Sequence, residues 1–176
     1  LAVSATSFAQ PNPAAAGEAF RTLAAWLPGG SRAVELFAGG GAIAFRLASR
    51  YEEVVAVEVA HEAVTRGARD AERLGVQNVV FQRGDARRYA IPSADLLVVD
   101  PPRAGLAKGL RDVIHAASVA RLAYVSCDVA TWARDVADLT GRGWQVTHLE
   151  PFDFQPHTHH FEIVSVLERE SRERER

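Results

Sequence analysis

The 176-residue chain has the length of one domain, and its 48% apolar and 24% charged residues are typical of a globular protein. A formal net charge of −2 gives no electrostatic basis for gripping a phosphate backbone, and no apolar run approaches the ~18 residues of a membrane span. The single cysteine, Cys127, excludes an internal disulfide framework and indicates a reducing, cytoplasmic compartment. Because the chain has no methionine, even at position 1, we interpret it as the excised C-terminal part of a longer protein.

Short β-rich runs alternate with helical patterns, which predicts an α/β fold with a doubly wound, mostly parallel sheet. Runs such as 96–99 and 122–125 are continuously apolar, as in strands that helices cover on both faces. We place the folded domain at 1–167 and a charged tail at 168–176. The predicted strands are 33–37, 54–58, 78–82, 95–100, 122–126, 144–149 and 161–167, and the predicted helices are 13–27, 42–50, 60–74, 106–117 and 129–139.

Each predicted helix has an apolar stripe that we expect to pack on the sheet. Asn12 followed by Pro13 is typical of a helix start, with a capping side chain and a proline in the first turn. The stripe of the third helix is expected to comprise Ala60, Val64, Ala68 and Ala71, and that of the fifth Val129, Trp132, Ala133 and Val136.

A glycine-rich turn follows the first predicted strand, at residues 35–41 (ELFAGGG). Glycines there let the backbone approach a ligand closely, although Gly39 and Gly41 also fit a dinucleotide fingerprint or a plain tight turn. Glu58 ends the second strand, 58 − 39 = 19 residues after the first of these glycines. A carboxylate at that place accepts hydrogen bonds from both ribose hydroxyls of a nucleotide cofactor. Asp85 follows the third strand and either receives an adenine amino group or forms a turn.

The fourth predicted strand ends in Asp100-Pro101-Pro102. Two prolines cannot continue a strand ladder, so they stiffen the exit and fix the direction of the Asp100 carboxylate. A dehydrogenase has no evident need for such a rim. A nucleic-acid methyltransferase does, because the rim holds a flipped base beside a sulfonium.

Cys127 ends the fifth predicted strand, directly before a helix whose N-terminus favours a thiolate. A lone cysteine is most often an inert buried side chain, so its position makes it a candidate. Three histidines at 157, 159 and 160 precede the last strand, but strand alternation turns His159 and His160 to opposite faces, which argues against a metal site. Glu162 opens that strand and is interpreted as a titrating group.

Together these motifs resemble the S-adenosylmethionine-dependent RNA uracil-C5 methyltransferases, the family that makes 5-methyluridine in transfer RNA or 23S ribosomal RNA. They occur in family order over about residues 8–167. The resemblance implies a class I, Rossmann-like sheet of seven strands with the last one antiparallel. It also implies S-adenosylmethionine as cofactor and an RNA partner that is bound largely by an absent N-terminal domain, whereas strand alternation is the reason for which no metal is expected. The motifs are FAQPN (8–12), ELFAGGG (35–41), DPPRAG (100–105), SC (126–127), AT (130–131), ARD (133–135) and PHTHHFE (156–162).

The resemblance also assigns roles to particular residues. Cys127 is implied as the nucleophile that adds to C6 of the uridine, and Glu162 as the base that removes the C5 proton. Asp100 is implied to orient the base or the methionine end of the cofactor. The implied cofactor contacts are Gln10, Phe37, Gly39, Gly41, Glu58, Asp85 and Asp100.

Three positions depart from the family pattern and are expected to lower catalytic efficiency without changing the reaction class. Asp128 stands where asparagine is usual, and its negative charge is expected to raise the pKa of the neighbouring thiol. Val129 replaces a proline and loosens the turn. Ala42 replaces a polar contact to the cofactor.

Other functions stay open on the residues alone. A methyltransferase acting on an exocyclic amine of a nucleobase also uses Asp-Pro-Pro and needs no cysteine. A nicotinamide oxidoreductase fits the glycine loop but has no evident need for Asp-Pro-Pro. A catalytically idle module that binds S-adenosylmethionine or scaffolds a partner is favoured by Asp128 and by the lack of an RNA-binding part.

Overall fold

A computed structural model describes residues 12–154 and 161–169, in which seven strands and five helices alternate. Gln10 and the histidines at 157, 159 and 160 lie outside these residues. The strands are β1 (Gly30–Leu36), β2 (Tyr51–Glu58), β3 (Val79–Arg83), β4 (Ala94–Val99), β5 (Val119–Ser126), β6 (Trp144–Phe152) and β7 (Glu162–Arg169). The helices are α1 (Pro13–Trp26), α2 (Ala44–Leu47), α3 (His61–Leu74), α4 (Lys108–Ala116) and α5 (Val129–Thr140).

All seven strands form one sheet in the order β3-β2-β1-β4-β5-β7-β6. The first five strands pair in parallel, whereas β7 pairs antiparallel with both β5 and β6. This confirms the predicted doubly wound, mostly parallel sheet with an antiparallel last strand. The strand order reverses between β1 and β4, and ligands of such sheets bind outside the carboxyl ends of the strands at that point.

Helices cover both faces of the sheet, so the central strands are buried along their C-terminal halves. Alternate residues of each strand belong to two apolar clusters, one containing residues of α1 and α2 and the other residues of α4 and α5. None of the helices in residues 12–154 combines the length and the hydropathy that a membrane span requires. The first cluster includes Ala33, Val54, Leu96, Val98 and Ala123, and the second Val34, Leu36, Val55, Leu97 and Leu122.

Helix α3 packs on the sheet with a different stripe from the predicted one. Its buried residues include Ala63 and Gly67, while Ala60 is an exposed cap outside the helix and Ala68 is exposed. The cause is Phe81 of β3, whose ring lies so close to Gly67 that a Cβ there would overlap it. The glycine thus makes the contact face, which an apolar-residue pattern does not reveal.

Helix α5 also differs from its predicted face. Val129 and Ala133 are exposed, whereas Asp135 is fully buried beside Val136 and Leu139. A buried carboxylate is stable only when hydrogen bonds replace its hydration, and Asp135 accepts such bonds from Leu106 N in the neighbouring loop and from the Tyr124 hydroxyl of β5. The stripe is therefore part polar.

Candidate active site

The predicted site residues meet at one edge of the sheet, where β1, β2, β4 and β5 end and β7 begins. Phe37 follows β1, Glu58 ends β2, Asp100 follows β4, and Cys127 follows β5. Glu162 is the first residue of β7, and because β7 is antiparallel its start lies at the same edge. Gly39 and Gly41 lie in the turn after β1, and Asp85 lies just beyond β3.

The register of β5 and β7 brings the thiol and a carboxylate to the same level. Ser126 pairs with Ile163, so Cys127 and Glu162 are each one residue beyond this pair, at the same edge. The Ser126 hydroxyl accepts a hydrogen bond from the Asp128 N–H at 3.3 Å and donates one to the Asp128 carbonyl at 3.1 Å, which closes the turn. Cys127 is half-buried, so its thiol is not sealed in the interior.

The turn after β1 has an unusual backbone that leaves room above it. Phe37 has φ 61°, the sole positive φ of a non-glycine residue in 12–154 and 161–169, a conformation that costs about 1–3 kcal/mol. Gly39 has φ 53°, and a Cβ on Gly39 or Gly40 would meet nothing within 4 Å. At Gly41, φ is 78° and a Cβ would overlap the Phe81 ring. The loop therefore packs on one side and is open on the other.

Glu58 is held in place by two backbone N–H groups. Its Oε2 accepts a hydrogen bond from Gly39 N at 3.0 Å, and its Oε1 accepts one from Ala60 N at 2.8 Å. A carboxylate has about four acceptor positions, so each oxygen retains capacity for a further donor. This geometry suits a pair of hydroxyl groups on a ribose.

Below the loop lies Glu35, a residue for which the sequence suggested no separate role. It is buried, and its Oε2 accepts a hydrogen bond from Ala44 N at 2.8 Å, which fixes the start of α2. Burial, and then the negative charge of Asp100, raise the pKa of Glu35 well above its usual range. In the sequence, the feature that could have indicated the role of Glu35 is its place as an acidic residue inside an otherwise apolar run.

Asp85 adopts the turn geometry that was the alternative to an adenine contact. Its Oδ1 accepts hydrogen bonds from the Arg87 backbone N–H and the Arg87 Nε, each at 3.0 Å, and Oδ2 accepts one from Nη2. Hydrogen bonds from the Arg87 side chain hold the pKa of Asp85 below its usual range. The carboxylate is thus ionised and partnered, and it still lies at the predicted edge.

Asp100 and Glu162 are two acidic residues of this edge, of which Asp100 is half-buried and Glu162 is buried. Burial, reinforced by the charge of Glu162, raises the pKa of Asp100 to about 7. Burial also raises the pKa of Glu162 to about 7, against the opposing charge of Arg103. At neutral pH both groups are near their midpoints, as proton-transfer groups require.

The Cys127 thiol has a raised pKa, opposite to what the helix N-terminus alone predicted. Burial is the largest cause, followed by the charges of Glu162 and Asp100, and among the described side chains the charge of Arg103 opposes them. The Asp128 carboxylate caps α5 by accepting a hydrogen bond from Thr131 N at 2.9 Å. Its charge is not among the main causes of the raised thiol pKa, which are burial, Glu162 and Asp100.

Among the described residues, no group of three His, Cys, Asp or Glu side chains is arranged to hold a metal ion.

Besides Glu35, Arg103 is a residue of the site to which the sequence analysis gave no role. Its signal was its place directly after Asp-Pro-Pro, on the loop that leaves the site.

Two family models match the chain. One is described as tRNA (uracil-5-)-methyltransferase and matches residues 90–170, and the other as conserved hypothetical protein 95 and matches residues 3–128. An uncharacterized RNA methyltransferase of Thermosynechococcus vestitus is 35% identical over 172 residues, which cover 94% of this chain and 38% of the relative. The 23S rRNA (uracil(747)-C(5))-methyltransferase of Shewanella oneidensis is 32% identical over 175 residues, covering 94% of this chain and 44% of that protein.

A solved structure shows the same arrangement of elements. The tRNA (uracil-54, C5)-methyltransferase of Pyrococcus abyssi, crystallised with S-adenosyl-L-homocysteine, superposes with a TM-score of 0.84 at 29% identity. The match covers 92% of this chain and 40% of that one, so the chain spans about two fifths of the length of the relatives it matches. By its sheet, its motifs and these matches, the chain belongs to the S-adenosylmethionine-dependent RNA uracil-C5 methyltransferase family.

Proposed function

We propose that this chain transfers a methyl group from S-adenosylmethionine to C5 of a uridine in transfer or 23S ribosomal RNA. The observation that carries the proposal is the meeting of Cys127 and Glu162 at one sheet edge, beside Asp100 and next to an open glycine loop. With a net charge of −2, the chain is expected to depend on an N-terminal RNA-binding domain for much of its RNA affinity.

The residues of the edge fit the cofactor. Glu58 has free acceptor positions for the ribose hydroxyls, and the space above Gly39 admits a ligand against the backbone. Asp85 is proposed to contact the adenine and Asp100 the methionine end of the cofactor, with Gln10 and Phe37 as the remaining proposed contacts. When bound there, S-adenosylmethionine supplies the electrophilic methyl group that C5 accepts.

The residues of the chain carry the rest of the chemistry. The Cys127 thiolate forms a bond to C6 of uracil, and the electrons of the C5–C6 double bond move toward C5 and the O4 carbonyl, which makes C5 nucleophilic. After C5 has gained its methyl group, Glu162 removes the C5 proton. The double bond then reforms, the sulfur–C6 bond breaks, and the thiolate leaves.

The pKa values of Cys127, Asp100 and Glu162 fit this order of proton transfers. A raised thiol pKa keeps Cys127 mostly protonated at neutral pH, so the thiol needs a proton acceptor before it attacks. Asp100 has a pKa of about 7, and its charge acts on the Cys127 thiol. We propose that Asp100 is the group that accepts the thiol proton. Glu162, also near 7, is proposed to accept the second proton, from C5.

The test is whether a covalent protein–RNA adduct forms and which side chain carries it. We expect Cys127→Ala to abolish methyl transfer to RNA from cells lacking the gene, while leaving S-adenosylmethionine binding near normal. Glu162→Gln is expected to accumulate an adduct that survives denaturing electrophoresis, because the C5 proton stays in place. The matched control is Glu168→Gln at the other end of β7, where the carboxylate pairs with Arg121 at 2.9 Å.

Two results would contradict the proposal. Cys127→Ser with retained activity would favour the exocyclic-amine reaction, which needs no thiol. Absence of any adduct with RNA containing 5-fluorouridine, in a preparation that binds the cofactor, would favour an idle binding module.

A further inference from the structure

A buried carboxylate on α5 fixes the loop that leaves the Asp-Pro-Pro turn. Asp135 is fully buried, and its Oδ2 accepts hydrogen bonds from Leu106 N at 2.6 Å and from the Tyr124 hydroxyl at 2.8 Å. Gly105, with φ 69°, lies so close that a Cβ would sit 2.5 Å from the same oxygen. The loop is therefore packed directly onto this carboxylate.

Two further side chains of α5 hold the same loop by its carbonyl groups. Thr131 Oγ1 donates a hydrogen bond to the Arg103 carbonyl at 3.0 Å, and Arg134 Nη2 donates one to the Ala104 carbonyl at 2.9 Å. Residues 103–106 are thus each in contact with one face of α5. We call Thr131, Arg134 and Asp135 the α5 clamp.

The charge of Asp135 is fully compensated, which explains why it is stable inside the protein. Its Oδ1 accepts hydrogen bonds from Arg111 Nη1 at 2.8 Å and from Arg134 Nε at 2.9 Å. Arg111 also donates a hydrogen bond to the Leu106 carbonyl. Arg111 therefore binds the C=O group of Leu106, and Asp135 binds its N–H group. Such a network fixes geometry more than it adds stability, because desolvation offsets most of the attraction.

The clamped loop carries Arg103, a cation that acts at the candidate site. Its charge opposes the raised pKa of Cys127 and also that of Glu162. The other charged groups that act on the thiol are anionic: Glu162 from β7 and Asp100 after β4. Arg103 itself is exposed, so the loop backbone is what keeps its guanidinium near the edge.

We propose that Asp135 is a positioning residue of the candidate active site. Through the α5 clamp it fixes the 103–106 loop against the helix that begins beside Cys127, and so holds the backbone position from which the Arg103 charge acts on the thiol. The inference rests on the proposed function for the role of that thiol. The contacts themselves join α5 to the loop without any substrate.

The test uses the fact that Cys127 is the single cysteine of the chain. The rate of its alkylation by iodoacetamide, followed by intact mass over a range of pH, reports the thiolate fraction without RNA or cofactor. Thr131→Val keeps the side-chain shape but loses the bond to the loop. We expect it to shift the profile to higher pH, with about threefold slower alkylation near pH 7. Asp135→Asn is expected to have a larger effect, and Thr131→Val carries the test if Asp135→Asn does not fold.

Thr140→Val is the matched control. Thr140 lies on the same helix, and its hydroxyl donates to the Ala137 carbonyl at 3.2 Å but does not touch the loop. Arg103→Gln is expected to slow alkylation as much as Thr131→Val does, and Arg103→Lys to restore part of the rate. In the Arg103→Gln background, Thr131→Val is expected to cause no further slowing of alkylation, because Thr131 acts on the thiol through the charge of Arg103.

Two outcomes would overturn the proposal. One is a Thr131→Val protein that unfolds at a lower temperature but keeps the parent's alkylation profile, which would make the clamp purely structural. The other is additive slowing in the double variant. A longer protein that includes the proposed RNA-binding domain and binds the cofactor, but transfers no methyl group, would instead refute the proposed function, and the alkylation measurement would still decide the role of the clamp.

Discussion

Glu58 Oε2 accepts a hydrogen bond from Gly39 N at 3.0 Å, so the end of the second strand holds the glycine loop that follows the first. With Oε1 bonded to Ala60 N, the carboxylate has one orientation. Glu58→Gln replaces an acceptor oxygen with an NH₂ group, which leaves one donor facing another. We expect S-adenosylmethionine to bind about tenfold or more weakly, as calorimetry would measure, with a small change in Tm.

The control for this prediction is Glu53→Gln on the same strand. Glu53 is exposed to a large degree and pairs with Arg32 at 2.6 Å, away from the carboxyl edge. Its replacement is expected to leave the affinity unchanged. Equal affinities for all three proteins would show that Glu58 does not bind the cofactor.

The rate of methyl transfer is expected to rise with pH. Glu162 must be ionised to act as a base and has a pKa of about 7, and Cys127 must lose its proton against a raised pKa. The single-turnover rate should therefore increase through about pH 7 and continue to increase as the thiol titrates. A rate that falls across this interval, with cofactor binding constant, would contradict both assignments.

The stability of the fold is expected to change with pH in the opposite direction. Because the folded pKa of Glu162 is raised, the folded chain retains a proton that the unfolded chain loses between about pH 4 and pH 7. The free energy of unfolding therefore falls as pH rises through that window. Glu162→Gln removes this ionisation, so we expect the variant to be more stable than the parent near pH 8, by on the order of 2–3 kcal/mol, and about equal near pH 4.

Thermal unfolding of both proteins at the two pH values measures this difference. Glu168→Gln, at the exposed end of the same strand, is the control and should show no such divergence. A Glu162→Gln protein that is less stable than its parent at both pH values would indicate that the carboxylate is held by contacts rather than destabilised by burial.

The contact between Gly105 and Asp135 predicts a stability difference between two glycine substitutions. Gly105 and Gly75 have nearly the same φ, 69° and 68°, but a Cβ meets Asp135 Oδ2 at 2.5 Å in the first case and nothing within 4 Å in the second. Gly75→Ala should lose about 1 kcal/mol from the φ angle alone. Gly105→Ala should lose about 2–4 kcal/mol in denaturant titrations. Equal losses would mean that the loop moves away without cost.

Much of the fold was predictable because buried parallel strands are continuous apolar runs bounded by glycine, proline or a carboxylate. The seven predicted strands all exist, with ends that differ by a few residues, as in β7, which continues to Arg169. The faces of α3 and α5 were not predictable. In one case a glycine accepts the Phe81 ring, and in the other a buried Asp135 replaces an apolar residue.

The candidate site was predictable in place but not in electrostatics. Topology alone brings strand ends together, so Glu58, Asp100 and Cys127 could be grouped from their order. For the thiol pKa the sequence offered two opposing local effects, a helix N-terminus that lowers it and the charge of Asp128 that raises it, because only neighbours along the chain were visible. The decisive charge belongs to Glu162, 162 − 127 = 35 residues away, and it acts only after the sheet has formed.

The reversed direction of β7 has a consequence for how the protein acquires its reactivity. A seventh strand parallel to the others would present its far end, near Arg169, to the catalytic edge, and only the antiparallel insertion between β5 and β6 delivers Glu162 there. This strand comes last among the elements of the chain. A chain in which β7 has not joined the sheet therefore has its cysteine without this carboxylate, so the two halves of the reaction centre meet only while β7 lies between β5 and β6.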